Sequence, residues 1–476
     1  MSAPDFITIL PMLILTIAAV TATVLAAFRT SHAFNAALAV SGFVLALASL
    51  APASKAAPRA VTALISIDAY SLLFTGLILG AAIAVTLLSY GYNEGREGGL
   101  AEFYIVLVIA TLGAIVLAAS AHFATFFLGL EILGVSLYVL IAYFLGDRAN
   151  EASIKYLILA GIASSFLVFG MALVYTELGT MEFSEMAMRT RETGGGPLLF
   201  AGLAMITVAA CFKLAAAPFH MWAPDVYEGA PAPVGAFLAA VSKGAVAALL
   251  LRYFLQTGAF AFGPFFTVFA AIAVASMFAG NILALFQRSV KRTLAYSSIA
   301  HVGYLFIAFL AGGRYGMVAA GYYLAAYFVS IIGAFGAVTL LSGKDRELDL
   351  LDDYRGLAWR RPWLAGAFTA MLLSLAGMPL TAGFLGKFFV AAAGVREALW
   401  LLVIALAVNS AIAIYYYLRI IIALFSPAYG EAPGPLPGLP LAGTIALGAL
   451  TLLLVFLGVY PAPLLALLEK AAAAFL

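Results

Sequence analysis

The sequence predicts an all-α protein that crosses a lipid membrane many times. Of its 476 residues, 65% belong to the apolar set AVILMFWYC and 10% are charged, whereas ordinary soluble domains are about 45–50% apolar and about 25% charged. The mean hydropathy is +1.10. The apolar residues also form unbroken runs of the roughly 20 residues that a helix needs to cross a bilayer. A membrane β-barrel would instead show alternation over about ten residues.

The composition also excludes several kinds of protein. There are 24 Lys and Arg residues against 22 Asp and Glu, so no basic field attracts nucleic acid. The single cysteine, Cys211, excludes a disulfide framework and a cysteine-ligated iron–sulfur cluster. The four histidines, at positions 32, 122, 220 and 301, are too scattered for a metal motif. We therefore expect no nucleic-acid partner, no cofactor and no metal.

Fourteen apolar runs are predicted to span the membrane. They cover residues 6–28, 33–50, 63–90, 103–120, 122–145, 152–175, 197–220, 234–255, 265–286, 293–310, 317–341, 364–390, 400–425 and 441–459. The first run follows Asp5 rather than a basic stretch and is longer than the apolar part of a signal peptide, so we expect it to be retained. The connections are short, and the stretch 461–476 is predicted to form an amphipathic helix at the interface.

Fourteen spans place both ends of the chain on one side of the membrane, and basic residues indicate which side. Eleven of them lie in the connections on the side opposite the termini, namely Arg29, Arg96, Arg148, Arg288, Lys291, Arg292, Lys344, Arg346, Arg355, Arg360 and Arg361. Seven lie on the side of the termini, namely Lys55, Arg59, Arg189, Arg191, Arg314, Arg396 and Lys470. Because Lys and Arg are enriched on the cytoplasmic side, both termini are predicted to lie outside the cytoplasm.

Four ionisable residues interrupt the apolar spans, namely Glu131, Lys213, Lys243 and Lys387. A charge at the bilayer centre costs roughly 2.5–3.5 kcal/mol on insertion scales, so such residues normally face the interior of the helix bundle. A lysine near a helix end can instead extend its ammonium to the interface, and this alternative is strongest for Lys387. The side chain of Glu131 is too short for that, so its alternative role is a buried salt bridge.

Two of these lysines lie beside prolines within their spans. Lys213 is followed by Pro218, and Lys387 is preceded by Pro379. A proline inside a helix removes a hydrogen bond and clashes with the preceding turn. Loosened backbone at membrane depth is tolerated only when it is buried in protein or lines a watered cavity, and transporters place ion sites at such interruptions. The sequence therefore predicts two broken helices, each near a buried lysine.

The spacing of the buried polar residues hints at an internal repeat. Lys213 and Lys387 are 174 residues apart, and Glu131 and His301 are 170 apart. The similar offsets suggest two units of about five helices each, with histidine in the second unit where the first has glutamate. Two coincident spacings leave the repeat undecided.

Three further residues are candidates for the same buried system. Lys155 opens its span, but Glu151 lies four residues before it, so an ordinary surface ion pair is an equal alternative. His220 follows the first predicted break and could titrate near neutral pH. His301 lies in the middle of a span, where a satisfied core histidine is the alternative. Asp68 begins a span and is predicted to cap or orient it.

These residue types together are suited to moving protons. Burial disfavours the charged form of an amine and a nearby carboxylate favours it, so a lysine between the two can change protonation when its partner moves. A row of such lysines, linked by histidine and water, can relay protons along the middle of the membrane. The chain has no nucleotide-binding loop and no soluble domain, so a partner would have to supply the energy.

Four motifs resemble those of the antiporter-like membrane subunits of respiratory complex I, the proton-pumping NADH:quinone oxidoreductase. They are FKLAAAPFHMWAPDVYEGAP at 212–231, GLE at 129–131, KRTLAYSSIAHVGY at 291–304, and GMP at 377–379 with GKFF at 386–389. The resemblance covers nearly the whole chain and is strongest to the subunit N group. The sister subunit M has glutamate at the last site, where this chain has Lys387. The sister subunit L has a long C-terminal extension, whereas only residues 461–476 follow the last span here.

The resemblance implies a core of fourteen helices with two inverted five-helix repeats, each containing a broken helix. The implied units are residues 1–100 with helices 1–3, 101–258 with the first repeat, 259–427 with the second repeat, and 428–476 with the last helix and tail. The resemblance also implies an integral protein of a bacterial plasma membrane with periplasmic termini. Its implied partners are the other membrane-arm subunits and the lipid bilayer.

The resemblance further implies proton translocation coupled to quinone reduction elsewhere in the complex, with no cofactor site in this chain. By matching position, Glu131 would pair with Lys213, Lys243 would link the two halves, and Lys387 would serve the exit half-channel. Lys155, His220 and His301 would be further members of the relay.

Two alternatives stay open at this stage. The shared motifs also fit a subunit of a multi-chain cation/proton antiporter that has no redox partner. The charges could alternatively lock helices together in a purely structural subunit.

Overall fold

The computed structural model describes residues 2–28, 31–96, 100–259, 263–344, 346–427 and 438–473. Arg29, which was counted above for the orientation, lies outside the described residues, as do positions 428–437 and 474–476.

Within these ranges the chain is almost entirely helical. The helices are α1 (Ala3–Thr8), α2 (Leu10–Ala26), α3 (His32–Ala48), α4 (Leu50–Ala56), α5 (Ala69–Asn93), α6 (Leu100–Ala119), α7 (Phe123–Ile141), α8 (Asp147–Leu178), α9 (Phe183–Thr193), α10 (Pro197–Leu214), α11 (Trp222–Gly229), α12 (Ala232–Phe237), α13 (Lys243–Thr257), α14 (Gly263–Leu285), α15 (Val290–Ala311), α16 (Gly313–Leu341), α17 (Leu357–Arg360), α18 (Pro362–Ala376), α19 (Ala382–Arg396), α20 (Trp400–Phe425), α21 (Leu441–Val459) and α22 (Ala462–Ala473). A π-helical turn, Leu238–Ser242, joins α12 to α13, and a short 3-10 helix covers Leu351–Tyr354.

Twelve helices in the described ranges are long and apolar enough to cross a membrane, with α3–α4 and α12–α13 each counted as one. Two shorter apolar helices, α2 and α18, fall on two further predicted runs. Every predicted span therefore coincides with apolar helix, and the all-α polytopic fold is confirmed. The predicted tail helix is α22, and the connection at 176–196 contains the short helix α9, which the sequence did not indicate.

The prediction that the third span begins at residue 63 is wrong. Strand β1 (Arg59–Thr62) and strand β2 (Ile65–Ile67) form an antiparallel hairpin there, because Val, Thr and Ile in this stretch favour extended backbone. The helix begins at Ala69, where Asp68 Oδ1 accepts a hydrogen bond from the Ser71 amide at 2.8 Å. The predicted capping role of Asp68 is thus confirmed.

The two predicted breaks are present, but each begins before its proline. α10 is capped by Ala215, whose φ of +57° is left-handed, and the Ala216 amide donates to the Cys211 carbonyl at 2.8 Å. α18 is capped by Gly377 with φ of +86°, and the Met378 amide donates to the Leu373 carbonyl at 3.0 Å. Both helices therefore end in the same Schellman geometry. The prolines follow this cap, so the cap is the local cause of each break.

The position of each helix determines which side chains are shielded from lipid. α12–α13 and α16 are buried along their whole apolar length, and α15 is nearly so, whereas only a third of α8 and of α21 is buried. The first three therefore form the centre of the bundle, and the last two present apolar side chains outward. Lys243 and His301 lie on central helices.

Contacts between the connecting loops show which loops lie on the same face of the helix bundle. On one face the Ala121 amide donates to the Leu64 carbonyl at 3.1 Å, and the backbones of His122 and Glu182 form an isolated antiparallel β-bridge. On the other face the backbones of Ser289 and Leu350 form a second antiparallel β-bridge. These contacts join connections that are separated by an even number of spans, which is the pattern of a chain that crosses repeatedly.

Candidate functional site

Lys213 lies in the last turn of α10 and is 5% exposed. Its Nζ lies 5.7 Å from the centre of the Tyr156 ring. The same nitrogen also approaches Gly134 of α7, since a Cβ atom added to this glycine would stand 3.3 Å from Lys213 Nζ. Glu131 lies three residues before Gly134, so it belongs to the same face of α7. The lysine therefore reaches the helix that carries the predicted carboxylate partner.

The predicted contact between Glu131 and Lys213 is not a direct ion pair. The ion pairs of 4.0 Å or less between described residues do not include one between Glu131 and Lys213. Glu131 Oε1 instead accepts a hydrogen bond of 2.5 Å from Ser164 Oγ on α8. The two side chains do not form an ion pair because Glu131 is turned toward α8, while Lys213 extends toward Gly134.

Lys243 is the first residue of α13 and directly follows the π-helical turn. It is 4% exposed, and its Nζ donates a hydrogen bond of 2.6 Å to Ser298 Oγ on α15. The Tyr227 ring centre lies 5.5 Å from the same nitrogen. π-helical turns are often found at functional sites, and this one ends directly before Lys243.

His301 lies in the middle of α15 between two tyrosine hydroxyls. Its Nδ1 shares a hydrogen bond of 2.6 Å with the Tyr323 hydroxyl, and its Nε2 lies 3.4 Å from the Tyr417 hydroxyl. Tyr417 in turn shares a hydrogen bond of 2.5 Å with Ser297 Oγ. The ring is buried and both of its nitrogens face groups that can donate or accept, so it can receive a proton on one side and release it on the other.

Lys387 points back into the second break. Its Nζ donates a hydrogen bond of 2.9 Å to the carbonyl of Ala376, the last residue of α18. The Tyr304 ring centre lies 5.0 Å away. The ammonium thus lies at the negative end of the α18 dipole. At 7% exposure it does not extend to the membrane surface. The alternative of a lysine reaching the interface is therefore ruled out for Lys387, as it is for Lys213 and Lys243.

A small cavity connects Lys243 with His301. Its walls also include Ser298, Tyr323 and Tyr327. The volume open to the centre of a water molecule is about 20 Å³, and about 10–15 Å³ is enough for one water. Lys243 and His301 therefore line one small cavity that has room for a single water.

His220 lies in the turn between α10 and α11, and it is 8% exposed. Neither of its ring nitrogens has a hydrogen-bond partner within the described part of the chain. Buried polar atoms are normally paired, so this ring is available to an incoming proton or water. The structure thus places His220 in the buried turn that follows the helix of Lys213.

Lys155 does not join the buried residues. Its Nζ lies 2.7 Å from Glu151 and 3.0 Å from Asp225, and its side chain is 44% exposed. Arg292 contacts the same Asp225 at 2.8 Å. Burial raises the pKa of Asp225, but hydrogen bonds from Lys155 and Arg292 outweigh it and hold that pKa below its usual value. The surface ion pair, which the sequence left as an equal alternative, is what the structure contains.

Sequence reasoning missed two buried ion pairs. Arg252 of α13 is 0% exposed and makes two hydrogen bonds of 2.8 Å to Asp68 at the start of α5. Lys291 pairs with Glu347, which also accepts a hydrogen bond of 2.5 Å from the Tyr92 hydroxyl. The arginine stands in an apolar run and could have been noticed there. The other pair joins residues that the sequence assigned to connections.

The neutral polar partners were also missed. Ser298, Tyr323 and Tyr417 contact the lysine and histidine described above. Asn281 donates to the Tyr304 hydroxyl at 3.0 Å and to Asn409 Oδ1 at 3.1 Å. Serine, tyrosine and asparagine occur in many packed helices, so no sequence signal distinguished these.

Comparisons with known proteins agree on the family. The family model described as NADH:quinone oxidoreductase/Mrp antiporter, TM, matches residues 120–413. NADH-quinone oxidoreductase subunit N of Methylococcus capsulatus is 48% identical over 462 residues, which cover 96% of this chain and 93% of that protein. The protein of the same name from Ectopseudomonas mendocina is 44% identical over 481 residues, covering 99% and 97%.

Solved structures share the fold. A chain of respiratory complex I from Thermus thermophilus with bound aureothin is 33% identical, with a TM-score of 0.83 and coverage of 97% of this chain and 100% of that one. A chain of the Mrp complex from Dietzia is 20% identical, with a TM-score of 0.86 and coverage of 99% and 97%. The latter likeness concerns the fold alone. The chain therefore belongs to the NADH:quinone oxidoreductase/Mrp antiporter membrane family, within its NADH-quinone oxidoreductase subunit N group.

Proposed function

We propose that this chain is a membrane-arm subunit of NADH:quinone oxidoreductase that translocates protons, while quinone is reduced elsewhere in the complex. The names of its relatives at 44–48% identity support this assignment, as does its likeness to a chain of respiratory complex I. In this proposal the chain carries out no redox chemistry of its own. Its partners are the neighbouring membrane-arm subunits and the bilayer.

The observation that carries the proposal is the set of three buried lysines without counter-charges. Lys213, Lys243 and Lys387 are 4–7% exposed, and within the described residues none has a carboxylate within 4.0 Å. An uncompensated ammonium in a dry interior is costly. A lysine held in this way can therefore gain or lose a proton in response to a small change nearby.

The proposed relay runs through the centre of the bundle. It begins at Glu131 and Lys213, continues past His220 to Lys243, and crosses the small cavity to His301. Lys387 is its last member, and it serves the exit. Moving one charge across 100 mV costs about 2.3 kcal/mol, so the complex must supply energy by changing the surroundings of these groups.

We also propose the arrangement of the chain in the membrane and its internal division. The eleven-to-seven distribution of basic residues supports periplasmic termini in a bacterial plasma membrane. The matching caps of α10 and α18 support two repeats at 101–258 and 259–427. Gly258, the left-handed cap of α13 with φ of +64°, stands at the proposed boundary.

The alternative of a cation/proton antiporter without redox partners rests on weaker support. The likeness to the Mrp complex extends to the fold at 20% identity, whereas whole-chain relatives at more than twice that identity carry the oxidoreductase name. Purification of the tagged chain from its native membrane separates the two. We expect flavin and iron–sulfur absorbance in the purified complex, and their absence would favour the antiporter.

The function is tested by Lys213→Ala in the intact complex. We expect a complex that still assembles, with proton uptake and quinone reduction lowered at least about tenfold, which corresponds to about 1.4 kcal/mol in the barrier of the slowest step. Uptake is measured with a pH-sensitive dye in inverted membrane vesicles. Lys55→Ala changes an exposed lysine outside the buried row and is the matched control. Normal pumping by an assembled Lys213→Ala complex would refute the proposal.

A further inference from the structure

A groove of about 550 Å³ opens on the outside of the bundle between α16, α19 and α22. Its floor is apolar and includes Val318, Phe388, Phe389 and Val395. Phe388 is 55% exposed and Val395 is 40% exposed. The volume lies within the range of about 300–1,000 Å³ that small-molecule sites occupy. The floor therefore offers space for a hydrocarbon chain.

The rim of this groove is basic. Arg314 and Arg396 both line it. The Arg396 guanidinium stacks 3.6 Å above the centre of the Tyr315 ring, and it has no carboxylate within 4.0 Å among the described residues. Arg314 lies 3.6 Å from Glu469, with both side chains more than half exposed. The rim thus carries one net positive charge, and the planar face of Arg396 is held in place.

The charges and the apolar floor lie at different depths. Arg314 is the second residue of α16 and Arg396 is the last residue of α19, so both stand where a span ends. At 1.5 Å per residue, Val318 lies about 6 Å further along its helix axis and Phe388 about 12 Å further. Tyr315 stands at the level where aromatic side chains concentrate at membrane interfaces. The groove therefore runs from the headgroup level into the hydrocarbon layer.

We propose that this groove binds an anionic phospholipid. The arginines would hold the phosphate of the headgroup, which guanidinium groups recognise by paired hydrogen bonds, and one acyl chain would lie along Val318 and Phe388. A second groove of about 630 Å³, between α14 and α20, has no charged side chain among the described residues that line it. It should accept acyl chains without regard to the headgroup, so it serves as an internal comparison. The inference does not depend on proton translocation.

The test uses the full chain in its native membrane complex, reconstituted in phosphatidylcholine vesicles that contain a photoactivatable phosphatidylglycerol. We expect labelled peptides from α16 and α19 after illumination, with competition by unlabelled phosphatidylglycerol but not by added phosphatidylcholine. Arg314→Gln with Arg396→Gln should lower this labelling about tenfold or more, because each basic residue contributes about fivefold to the binding of anionic lipid. Arg314→Lys with Arg396→Lys keeps both charges but loses the paired hydrogen bonds, so it should lower the labelling less than the glutamine pair does.

Two further variants and a second lipid probe complete the test. Arg189→Gln with Arg191→Gln changes two arginines of α9 outside the groove and should leave the labelling unchanged. Glu469→Gln removes the one acidic side chain among the described residues that line the groove, so it should increase the labelling. This variant tests the proposal even if the arginine variant fails to assemble. Equal labelling by a phosphatidylcholine probe would overturn the proposal. So would cross-linking of the groove to another protein subunit in place of lipid.

Discussion

At the scale of single residues, the three buried lysines share an unusual feature, which is that each ammonium faces neutral groups. Lys243 donates to Ser298 and Lys387 donates to the Ala376 carbonyl, while Lys213 lies under the Tyr156 ring. Neutral partners stabilise an ammonium less than a carboxylate would. This difference separates the row from Arg252 and Lys291, whose buried charges are paired. We infer that the paired charges hold the fold together and the unpaired ones are free to titrate.

The hydroxyl of Tyr323 provides a test at this scale. Tyr323→Phe keeps the ring and removes the hydrogen bond to His301 Nδ1. Because one hydrogen bond is worth about 0.5–1.5 kcal/mol net, we expect proton uptake to fall by a factor of about two to twelve in an assembled complex. The neighbouring variant Tyr322→Phe is the matched control, since that hydroxyl donates to the Leu457 carbonyl instead. Equal effects of the two variants would contradict a role for the His301 partner.

Sequence reasoning found the ionisable residues at this scale and missed their partners. Glu131, Lys213, Lys243 and Lys387 are conspicuous because charges in apolar spans are costly and rare. Ser298 and Tyr323 carry no such cost, so only the packing of α15 against α13 and α16 reveals them. Lys155 is also charged, yet its neighbours place it in a surface cluster that spacing alone could not distinguish from a buried one.

At the scale of helices, the two breaks are the features that place the lysines. Lys213 precedes the left-handed residue Ala215 by two positions, whereas Lys387 follows Gly377 by ten. The similar offsets of 174 and 170 residues that suggested a repeat therefore do not make Lys213 and Lys387 equivalent in the fold. The repeat is better supported by the caps themselves, which are 162 residues apart and have the same hydrogen-bond pattern. The sequence located the breaks through their prolines, but it could not reveal which residue would adopt the left-handed conformation.

Gly377→Ala tests the second break. Its φ of +86° disfavours any side chain, and an added Cβ would stand 2.8 Å from Lys387 Cδ. We expect Lys387 to be displaced from the Ala376 carbonyl, so the rate of quinone reduction should fall and inactivation on warming should be faster. Ala215→Gly is the matched variant, because glycine relieves about 1–2 kcal/mol of strain at a left-handed position. It should inactivate no faster than the unchanged complex. Normal activity and stability of Gly377→Ala would contradict the assigned role of this cap.

At the scale of the whole molecule, contacts with the loops place both terminal segments on the same face. Asp5 lies 3.0 Å from Arg59, and Glu469 lies 3.6 Å from Arg314, so the N-terminal and C-terminal segments each contact a connection on their own predicted side. Twelve of the fourteen predicted runs contain a described helix long enough to span, and the order of the apolar helices followed from apolar length alone. The hairpin at 59–67 did not, because its residues are apolar enough to read as the start of a helix.

Cysteine labelling tests the orientation. Cys211 is 0% exposed, so a cysteine introduced at an exposed position can be labelled without interference. Cysteine in place of Lys470 should react with a membrane-impermeant maleimide added to intact spheroplasts. Cysteine in place of Arg346, on the opposite face, should react only after the membrane is opened. The reverse pattern would show that the termini are cytoplasmic.

The central claim is that buried lysines must give up their protons during turnover. Arginine keeps the charge but resists deprotonation, so Lys213→Arg and Lys243→Arg separate a proton-transfer role from a structural one. The measurement is the initial rate of proton uptake, driven by NADH oxidation, in vesicles that contain equal amounts of assembled complex, with Lys470→Arg as the control. The account predicts that both arginine variants lose at least about tenfold in proton uptake, comparable to the loss expected for alanine. Near-normal uptake by both arginine variants would show that a permanent positive charge suffices, and it would contradict the account.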